Sequence, residues 1–173
     1  RKLMYSKKNL VFLGMMGSGK SSIGSLVSEK LNLKFIDIDH IIENEAGINI
    51  YNIFKEKGED YFRQLEEKTT LKVLKKNNIV VSLGGGAFIN EKIRNEVLTN
   101  HFSFWLNWNS EILLKRIRNS KKRPMAINST DQEIADLIKK RYKIYSKADF
   151  KIDCNKLTKS EITKKVIKIY ELN

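Results

Sequence analysis

The chain has 173 residues, of which 41% are hydrophobic and 31% charged, which is the size and composition of one compact domain. This apolar content excludes a chain that is disordered along its whole length. One cysteine excludes an intramolecular disulfide framework, and with only two histidines it cannot build a zinc site. No stretch approaches the roughly 18–20 apolar residues of a membrane span, so we expect a soluble, cytoplasmic protein.

The net charge is strongly positive, because Lys and Arg total 33 and Asp and Glu total 20, which gives +13. A charge of this size suggests a polyanionic partner. The basic residues are nevertheless spread along the chain in short groups, without an aromatic-interleaved basic stripe. We therefore expect no nucleic acid as the main partner.

The first residues are basic and precede the apolar run Leu10–Leu13, which superficially looks like a signal peptide. The run is shorter than the usual apolar region of about 7–15 residues, and we interpret it as a buried first strand. Because the sequence starts with Arg1, we expect it to begin inside a longer chain.

Short apolar runs alternate with helical patterns from one end of the chain to the other. The runs are mostly apolar throughout, which is typical of strands covered on both faces. This alternation predicts an α/β three-layer sandwich, with a five-stranded parallel sheet flanked by helices and right-handed crossovers. The predicted strands are Leu10–Leu13, Lys34–Ile36, Ile79–Leu83, Ser103–Leu106 and Phe150–Ile152. The predicted helices are Ser21–Leu31, Asp60–Lys76, Glu111–Arg118, Ile134–Lys147 and a last one capped by Thr158–Glu161.

The segment Gly14–Ser21 (GMMGSGKS) matches the phosphate-binding pattern G-x-x-x-x-G-K-[ST] between a predicted strand and a predicted helix. Its glycines let backbone N–H groups point at phosphate oxygens, and the helix N-terminus adds positive charge. In such loops Lys20 would reach the β- and γ-phosphates and Ser21 would place its hydroxyl on magnesium. The motif predicts nucleoside triphosphate binding, with a ligand-free glycine-rich turn as the alternative.

A regulatory GTPase is not favoured, because such a protein reads guanine with an N-K-x-D motif. The nearest match is residues 155–158, which end in Thr158 and so lack the carboxylate that accepts from guanine. No D-x-x-G switch follows a strand either. We interpret residues 155–158 as a loop and a helix cap.

Asp37 and Asp39 follow the second predicted strand, at the sheet edge where ligands bind in open parallel sheets. One carboxylate could serve magnesium through water, and the other could accept a hydrogen bond from a substrate hydroxyl. The alternative is a pair of helix-capping aspartates.

Arg63 lies near a helix start, where a cation opposes the helix dipole, so anion binding is one reason for its position. The alternative is an ordinary surface pair with Glu67, four residues on. Gly84, Gly85 and Gly86 follow the third strand and would allow a ligand close to the backbone, with a plain flexible turn as the alternative.

Together these motifs resemble the shikimate kinase family, small members of the nucleoside-monophosphate-kinase-like group of P-loop folds. The likeness runs from Asn9 to about Lys151. It rests on five motifs in order: GMMGSGKS (14–21), DID (37–39), FRQLEE (62–67), GGGAF (84–88) and KKRPM (121–125). The resemblance implies ATP-dependent phosphorylation of the 3-hydroxyl of shikimate, in the pathway to chorismate and aromatic amino acids, with Mg²⁺ as cofactor.

The resemblance also implies a role for each site residue. Catalysis would fall to Asp39 as candidate base, with Lys20 and Arg123 neutralising the phosphoryl group. The shikimate contacts would be Asp39, Arg63, Gly84, Gly85, Gly86 and Arg141, the arginines clamping the carboxylate. Phe54 and Phe62 would line the pocket, with core aromatics as the alternative. The ATP contacts would be Gly17, Ser18, Gly19, Lys20, Ser21, Ser22, Arg116 against the adenine, and Arg123. The magnesium shell would include Ser21 and Asp37, and Ser82 through water.

The same resemblance implies one domain over residues 1–173, with a shikimate-binding subdomain at 38–66, a mobile lid at 119–130 and a monomeric state. The chain departs from the family where Met125 follows Arg123-Pro, since leucines are usual there, and where the stretch after Arg141 is about one residue shorter. Two alternatives stay open: another small-molecule kinase, such as a gluconate-type kinase, and a nucleotide-regulated module that binds RNA.

Overall fold

The computed structural model describes residues 7–120 and 128–173. Its centre is a five-stranded parallel sheet with the order β2-β3-β1-β4-β5. All five strands coincide with the predicted runs to within one residue at each end. They are β1 (Leu10–Leu13), β2 (Lys34–Asp37), β3 (Ile79–Ser82), β4 (Phe102–Asn107) and β5 (Phe150–Asp153).

Helices flank this sheet, and the five that the sequence predicts are present with ends shifted by up to three residues. The sequence pattern missed α2, α3, α5 and a short 3₁₀ turn at Ala87–Ile89. The described helices are α1 (Lys20–Leu31), α2 (Ile38–Ala46), α3 (Ile50–Lys57), α4 (Glu59–Val73), α5 (Glu91–Asn100), α6 (Ser110–Asn119), α7 (Asp131–Tyr145) and α8 (Lys159–Glu171). Within the two described stretches, no helix is long and apolar enough to cross a membrane.

The strand order positions a crevice at the carboxyl ends of the central strands. From β1 the chain passes beyond β3 to reach β2, and from β3 it crosses β1 to reach β4. Right-handed crossovers in these opposite directions put α1 and α5 on opposite faces of the sheet, which gives the predicted three layers. Ligands of open α/β sheets bind at such a reversal of direction.

Local sequence signals explain how several helices begin. Thr130 and Thr158 start α7 and α8 with capping boxes, in which Glu133 and Glu161 return the hydrogen bond. The interpretation of residues 155–158 as a loop and a cap is therefore confirmed. In the core, the rings of Phe12 on β1 and Phe104 on β4 stack with centroids 5.5 Å apart.

Asn9 fixes the start of β1 from inside the protein. It is fully buried, its Nδ2 donates to the carbonyl of Lys76 at 2.7 Å, and its Oδ1 accepts from the backbone N–H of Ile79 at 3.0 Å. Asn9 therefore ties β1 to the first residue of β3, the strand that carries the glycine loop.

We expect Asn9→Ala to lower the free energy of unfolding by about 1–3 kcal/mol, because it leaves the buried N–H of Ile79 without an acceptor. Urea denaturation measures this change, with Asn44→Ala on an exposed face of α2 as the matched control. A loss below about 0.5 kcal/mol, the range of ordinary surface substitutions, would contradict the role given to Asn9.

Candidate active site

A cavity of about 550 Å³ opens at the carboxyl edge of the sheet. The loop after β1, helices α2 to α4, the loop after β3 and α7 all contribute to its lining. Most of the residues predicted from the sequence for the phosphates, the metal and the second substrate meet here. Its lining includes Gly17, Gly19, Lys20, Ser21, Ser22, Asp37, Asp39, Phe54, Phe62, Arg63, Ser82, Gly85, Gly86 and Arg141.

The loop from Gly14 to Gly19 turns sharply from β1 into α1. Gly17 and Gly19 have φ values of 83° and 93°, a left-handed conformation that favours glycine. Lys20, the first residue of α1, is buried, and its Nζ donates to the carbonyls of Gly14 at 2.6 Å and Met15 at 3.0 Å. A buried ammonium group thus lies inside the loop, next to the positive end of a helix.

Asp37 has two partners at the end of β2. Its Oδ2 accepts from Ser21 Oγ at 2.5 Å, and its Oδ1 accepts from the N–H of His40 at 3.3 Å, which caps α2. The capping interpretation therefore holds for Asp37, while Asp39 lies inside the first turn of α2. Ser21 and Asp37 together present hard oxygen donors of the kind that Mg²⁺ prefers.

Among residues 7–120 and 128–173 there is no group of three or more His, Cys, Asp or Glu side chains that could hold a metal ion. Mg²⁺ commonly binds through one or two protein oxygens plus substrate phosphates and water. Ser21 and Asp37 are the oxygens that the protein would supply to such a site.

Asp39 carries the most unusual carboxyl group of the cavity. Its Oδ1 is buried and has no hydrogen-bond donor in the described part of the chain. Burial raises the pKa of Asp39 to about 7, and the carboxylates of Asp37, Glu66 and Glu43 add to the rise, while the Lys20 ammonium opposes it. A carboxyl group that titrates near neutral pH is suited to accept a proton from a substrate hydroxyl.

Arg63 is held by carboxylates on its own helix. Its Nη1 donates to Glu66 Oε1 at 2.9 Å, and its Nε lies 3.6 Å from Glu59 Oε1. The surface pair with Glu67 is therefore wrong, because Glu67 accepts from Asn90 Nδ2 at 2.7 Å instead. Burial raises the pKa of Glu66, and the Arg63 guanidinium opposes that rise. Glu66 thus fixes the direction in which Arg63 enters the cavity, a role the sequence analysis did not assign.

Two aromatic rings form the wall behind this guanidinium. The rings of Phe54 and Phe62 lie 4.8 Å apart, and Arg63 Cζ lies 5.9 Å and 5.2 Å from their centroids. Phe62 is buried in the core, and both rings also line the cavity. The two therefore serve as core and as cavity wall.

Gly84, Gly85 and Gly86 form the surface against which the charged side chains pack. A Cβ on Gly84 would lie 2.7 Å from Asp39 Oδ1, and a Cβ on Gly86 would lie 2.6 Å from Arg63 Nη1. A Cβ on Gly85 would lie 3.4 Å from Arg141 Nη1. The loop is therefore a closely packed surface, unlike a plain flexible turn.

The helix α7 brings Arg141 and Tyr145 to the same loop. Arg141 lines the cavity and its Nη1 lies 3.7 Å from Met15 Sδ. Tyr145 is fully buried and donates its hydroxyl to the carbonyl of Gly85. Burial raises the pKa of Tyr145 to about 12, so it stays a donor. The spacing of four residues, which puts both side chains on one helix face, is the sequence signal for this support.

Arg116 lies outside that cavity, at the mouth of the phosphate loop. Its Nε donates to the carbonyl of Gly17 at 2.7 Å, and its Cζ lies 4.2 Å from the centre of the Trp108 ring. The indole N–H of Trp108 in turn donates to the carbonyl of Ser18 at 2.8 Å. Trp108 therefore supports both the loop and Arg116, and the sequence analysis missed it.

Arg123 and most of the predicted lid 119–130 fall on residues 121–127, which lie outside the described residues. The two sides of that segment are joined by Arg118 at the end of α6, whose Nε lies 2.8 Å from Asp131 Oδ1 at the start of α7.

Known proteins match this chain over almost its whole length. A curated shikimate kinase from Sulfurihydrogenibium sp. is 38% identical over 160 residues, covering 92% of this chain and 96% of the relative. The solved structure of shikimate kinase from Acinetobacter baumannii in complex with shikimate superposes with a TM-score of 0.90 at 28% identity, covering 99% and 97%. A gluconokinase from Sinorhizobium meliloti superposes with a TM-score of 0.58 at 16% identity, covering 96% and 93%, which shows the fold alone.

A sequence model of the shikimate kinase family matches residues 16–171. This match takes in the helix after the phosphate loop, both aspartates, the glycine loop and α7. The fold is that of P-loop kinases, as the sequence predicted, and the chain belongs to the shikimate kinase family.

Proposed function

We propose that this protein transfers the γ-phosphoryl group of ATP to the 3-hydroxyl of shikimate, giving shikimate 3-phosphate and ADP, in the pathway to chorismate and aromatic amino acids. One observation carries this proposal: Asp39, with its unpartnered buried oxygen, shares a cavity with Lys20 of the phosphate loop and with Arg63 and Arg141. Membership of the family and the likeness to a shikimate kinase solved in complex with shikimate support it.

In this proposal the substrate carboxylate binds Arg63 and Arg141, because planar guanidinium groups match a carboxylate with two parallel hydrogen bonds. The ring hydroxyls bind Asp39, and backbone N–H groups of residues 84–86 contact the same molecule. Residues 38–66, which hold α2, α3 and the start of α4, form the subdomain that surrounds shikimate.

The nucleotide binds along the loop after β1. Backbone N–H groups of residues 17–22 and the Lys20 ammonium hold the phosphates, and Arg116 packs against the adenine. Arg123, on the lid at 119–130, reaches the transferring phosphoryl group. Phosphoryl transfer depends on positioning and charge neutralisation more than on covalent help, so these cations supply most of what the reaction needs.

Magnesium fits the oxygen pair of Ser21 and Asp37, with Ser82 contributing through water. When bound, Mg²⁺ neutralises charge on the phosphate oxygens. The proton balance falls to Asp39, whose ionised carboxylate accepts the hydroxyl proton of shikimate as the new O–P bond forms and ADP leaves. We propose that the enzyme acts as a monomer, in the cytoplasm where ATP is supplied.

The proposed reaction is tested by ADP release from Mg·ATP with shikimate, gluconate, nucleoside monophosphates or no acceptor in parallel. We expect strong stimulation by shikimate only. Stimulation by gluconate alone would assign Asp39, Arg63 and Arg141 to another substrate. Salt-sensitive RNA binding without turnover of any acceptor would favour a binding module.

We expect Lys20→Ala and Asp39→Asn each to lower kcat by about 100-fold or more, because removal of a group that stabilises charge or takes a proton costs that much. Steady-state ADP release measures kcat, and circular dichroism checks that the fold is retained. The matched controls are Lys30→Ala in the last turn of α1 and Asp60→Asn at the start of α4, both exposed. Full activity of either site variant would refute its assignment.

Arg63→Ala should raise KM for shikimate by about 10- to 100-fold, the value of one charge-assisted hydrogen-bond pair.

Gly86→Ala should also raise KM for shikimate, because the new Cβ would displace the Arg63 guanidinium. Gly86 has φ −100°, which alanine adopts without strain, so the fold should keep its stability. Lys68→Ala on the exposed face of α4 is the control, and an unchanged KM in Arg63→Ala would argue against the carboxylate clamp.

Asp39 should set opposite pH dependences for activity and stability. Since its pKa is raised to about 7, kcat/KM for shikimate should fall as pH drops below about 7 and the carboxylate takes up a proton. The unfolded chain ionises near pH 4, so the wild type loses stability as pH rises from about 4 to 7.

Asp39→Asn removes this loss of stability. At pH 8 the variant should be more stable than the wild type by about 1–3 kcal/mol. The gain is limited because solvent screens part of the cost of ionising this partly exposed group. Below about pH 4 the two should be equal. Urea denaturation across pH measures the difference, and a variant less stable than the wild type at pH 8 would show that the buried charge is not costly.

A further inference from the structure

A second concave surface lies on the far side of α7 from the cavity, between that helix and the strands β4 and β5. This groove has a volume of about 890 Å³ and shares no lining residue with the cavity. Its floor is aromatic, with Trp105 and Tyr142 packed edge to face at 5.0 Å, and Trp108 at one end. Nothing in the proposed reaction uses it.

The rim of the groove carries positive charge without matching acids. Three of its lining residues are lysines, and Asp136 is the one acidic residue among them. Asp136 accepts from Gln132 Nε2 at 2.8 Å, and among the described residues no carboxylate forms an ion pair with the lysines. These lysines are Lys139, Lys143 and Lys151. The groove therefore favours an anion.

The floor adds a second requirement. Trp105 is only 5% exposed, and its indole N–H has no hydrogen-bond acceptor in the described part of the chain. A buried donor without a partner is costly, and a ligand that opens the groove beside Trp105 would satisfy it with an oxygen. The ammonium of Lys151 lies 5.9 Å from the centre of the same ring, so a negative group beside that ring would also meet a positive charge.

The small exposed fraction of the two tryptophan side chains limits which ligands the groove can bind. Single-stranded nucleic acid stacks on aromatic faces that are open to solvent, whereas Trp105 and Trp108 are 5% and 8% exposed. A small planar molecule that packs against the half-buried Tyr142 ring in the groove fits better than an oligonucleotide. We propose that this groove is a binding site for a planar aromatic carboxylate.

The groove is connected to the phosphate loop through one residue. The Tyr142 hydroxyl donates to the carbonyl of Trp108 at 2.6 Å, and the Trp108 indole holds both Ser18 and Arg116. A ligand that shifts Tyr142 or Trp108 therefore acts on the nucleotide side of the active site. Occupancy of the groove changes KM for ATP, while KM for shikimate stays the same.

The chain provides its own reporter, since Trp105 and Trp108 are its only two tryptophans and both line the groove. The probe is 2-naphthoate, titrated into ¹⁵N-labelled protein with shikimate at saturation, and its uncharged isostere 2-naphthamide is the control ligand. We expect saturable shifts of both indole N–H signals with a Kd of about 1 mM or tighter, and no saturation with the amide. This readout does not depend on turnover.

Lys139→Gln/Lys151→Gln should weaken 2-naphthoate about three-fold or more, the effect of two exposed charge contacts. Lys72→Gln/Lys164→Gln removes the same charge from exposed sites elsewhere and should not weaken it. Absent indole shifts, shifts that appear only when shikimate is left out, or equal binding of the amide would overturn the site. Binding that leaves KM for ATP within about two-fold would overturn the coupling through Trp108.

Discussion

The site depends on the close packing of charged side chains against the glycine loop at 84–86, whose residues have no side chains. Asp39, Arg63 and Arg141 come from α2, α4 and α7, and all three approach the glycine loop at 84–86 within 3.4 Å of where a Cβ would stand. Helices separated by this much sequence converge only because the loop takes up almost no volume. The loop is held in turn, since Tyr145 fixes its carbonyl from behind. The three charged side chains can therefore meet only because residues 84–86 are glycines.

The second constraint is the free-energy cost of burying charged carboxylates. Glu66 and Asp39 differ in how well neighbouring groups offset that cost. Glu66 is buried but satisfied by Arg63 at 2.9 Å, so it acts as a fixed support. Asp39 has the Lys20 ammonium in its surroundings but no donor on Oδ1, so its charge is poorly compensated. Stability would be greater with a neutral group at that position, and under the proposed function this carboxylate is the proton acceptor.

The sequence alone predicted the strands and the phosphate loop. It did not predict the residues that hold the site residues in place. Apolar runs located all five strands, and the glycines with Lys20 located the phosphate loop, because these signals are local. Helices α2 and α3 were missed because they are short, and because α2 follows β2 without a linker. Glu66 was overlooked because Glu67 is also within helical reach of Arg63, and only the packing of α4 decides which face is buried. Trp108 was missed because Ser18, the residue whose carbonyl it binds, lies 90 residues away in the sequence.

Helix α7 links these separate supports, because it touches three of the loops that surround the ligands. Arg141 and Tyr145 meet the loops after β1 and β3, and Tyr142 holds the carbonyl of Trp108 after β4. The helix begins at Asp131, which Arg118 binds across the predicted lid segment. A displacement of α7 along its axis would therefore move Arg141 in the cavity and Trp108 beside the phosphate loop together. A ligand in the groove on its far side would act on Tyr142 and Trp108 without that displacement, so its effect stays on the side of the phosphate loop.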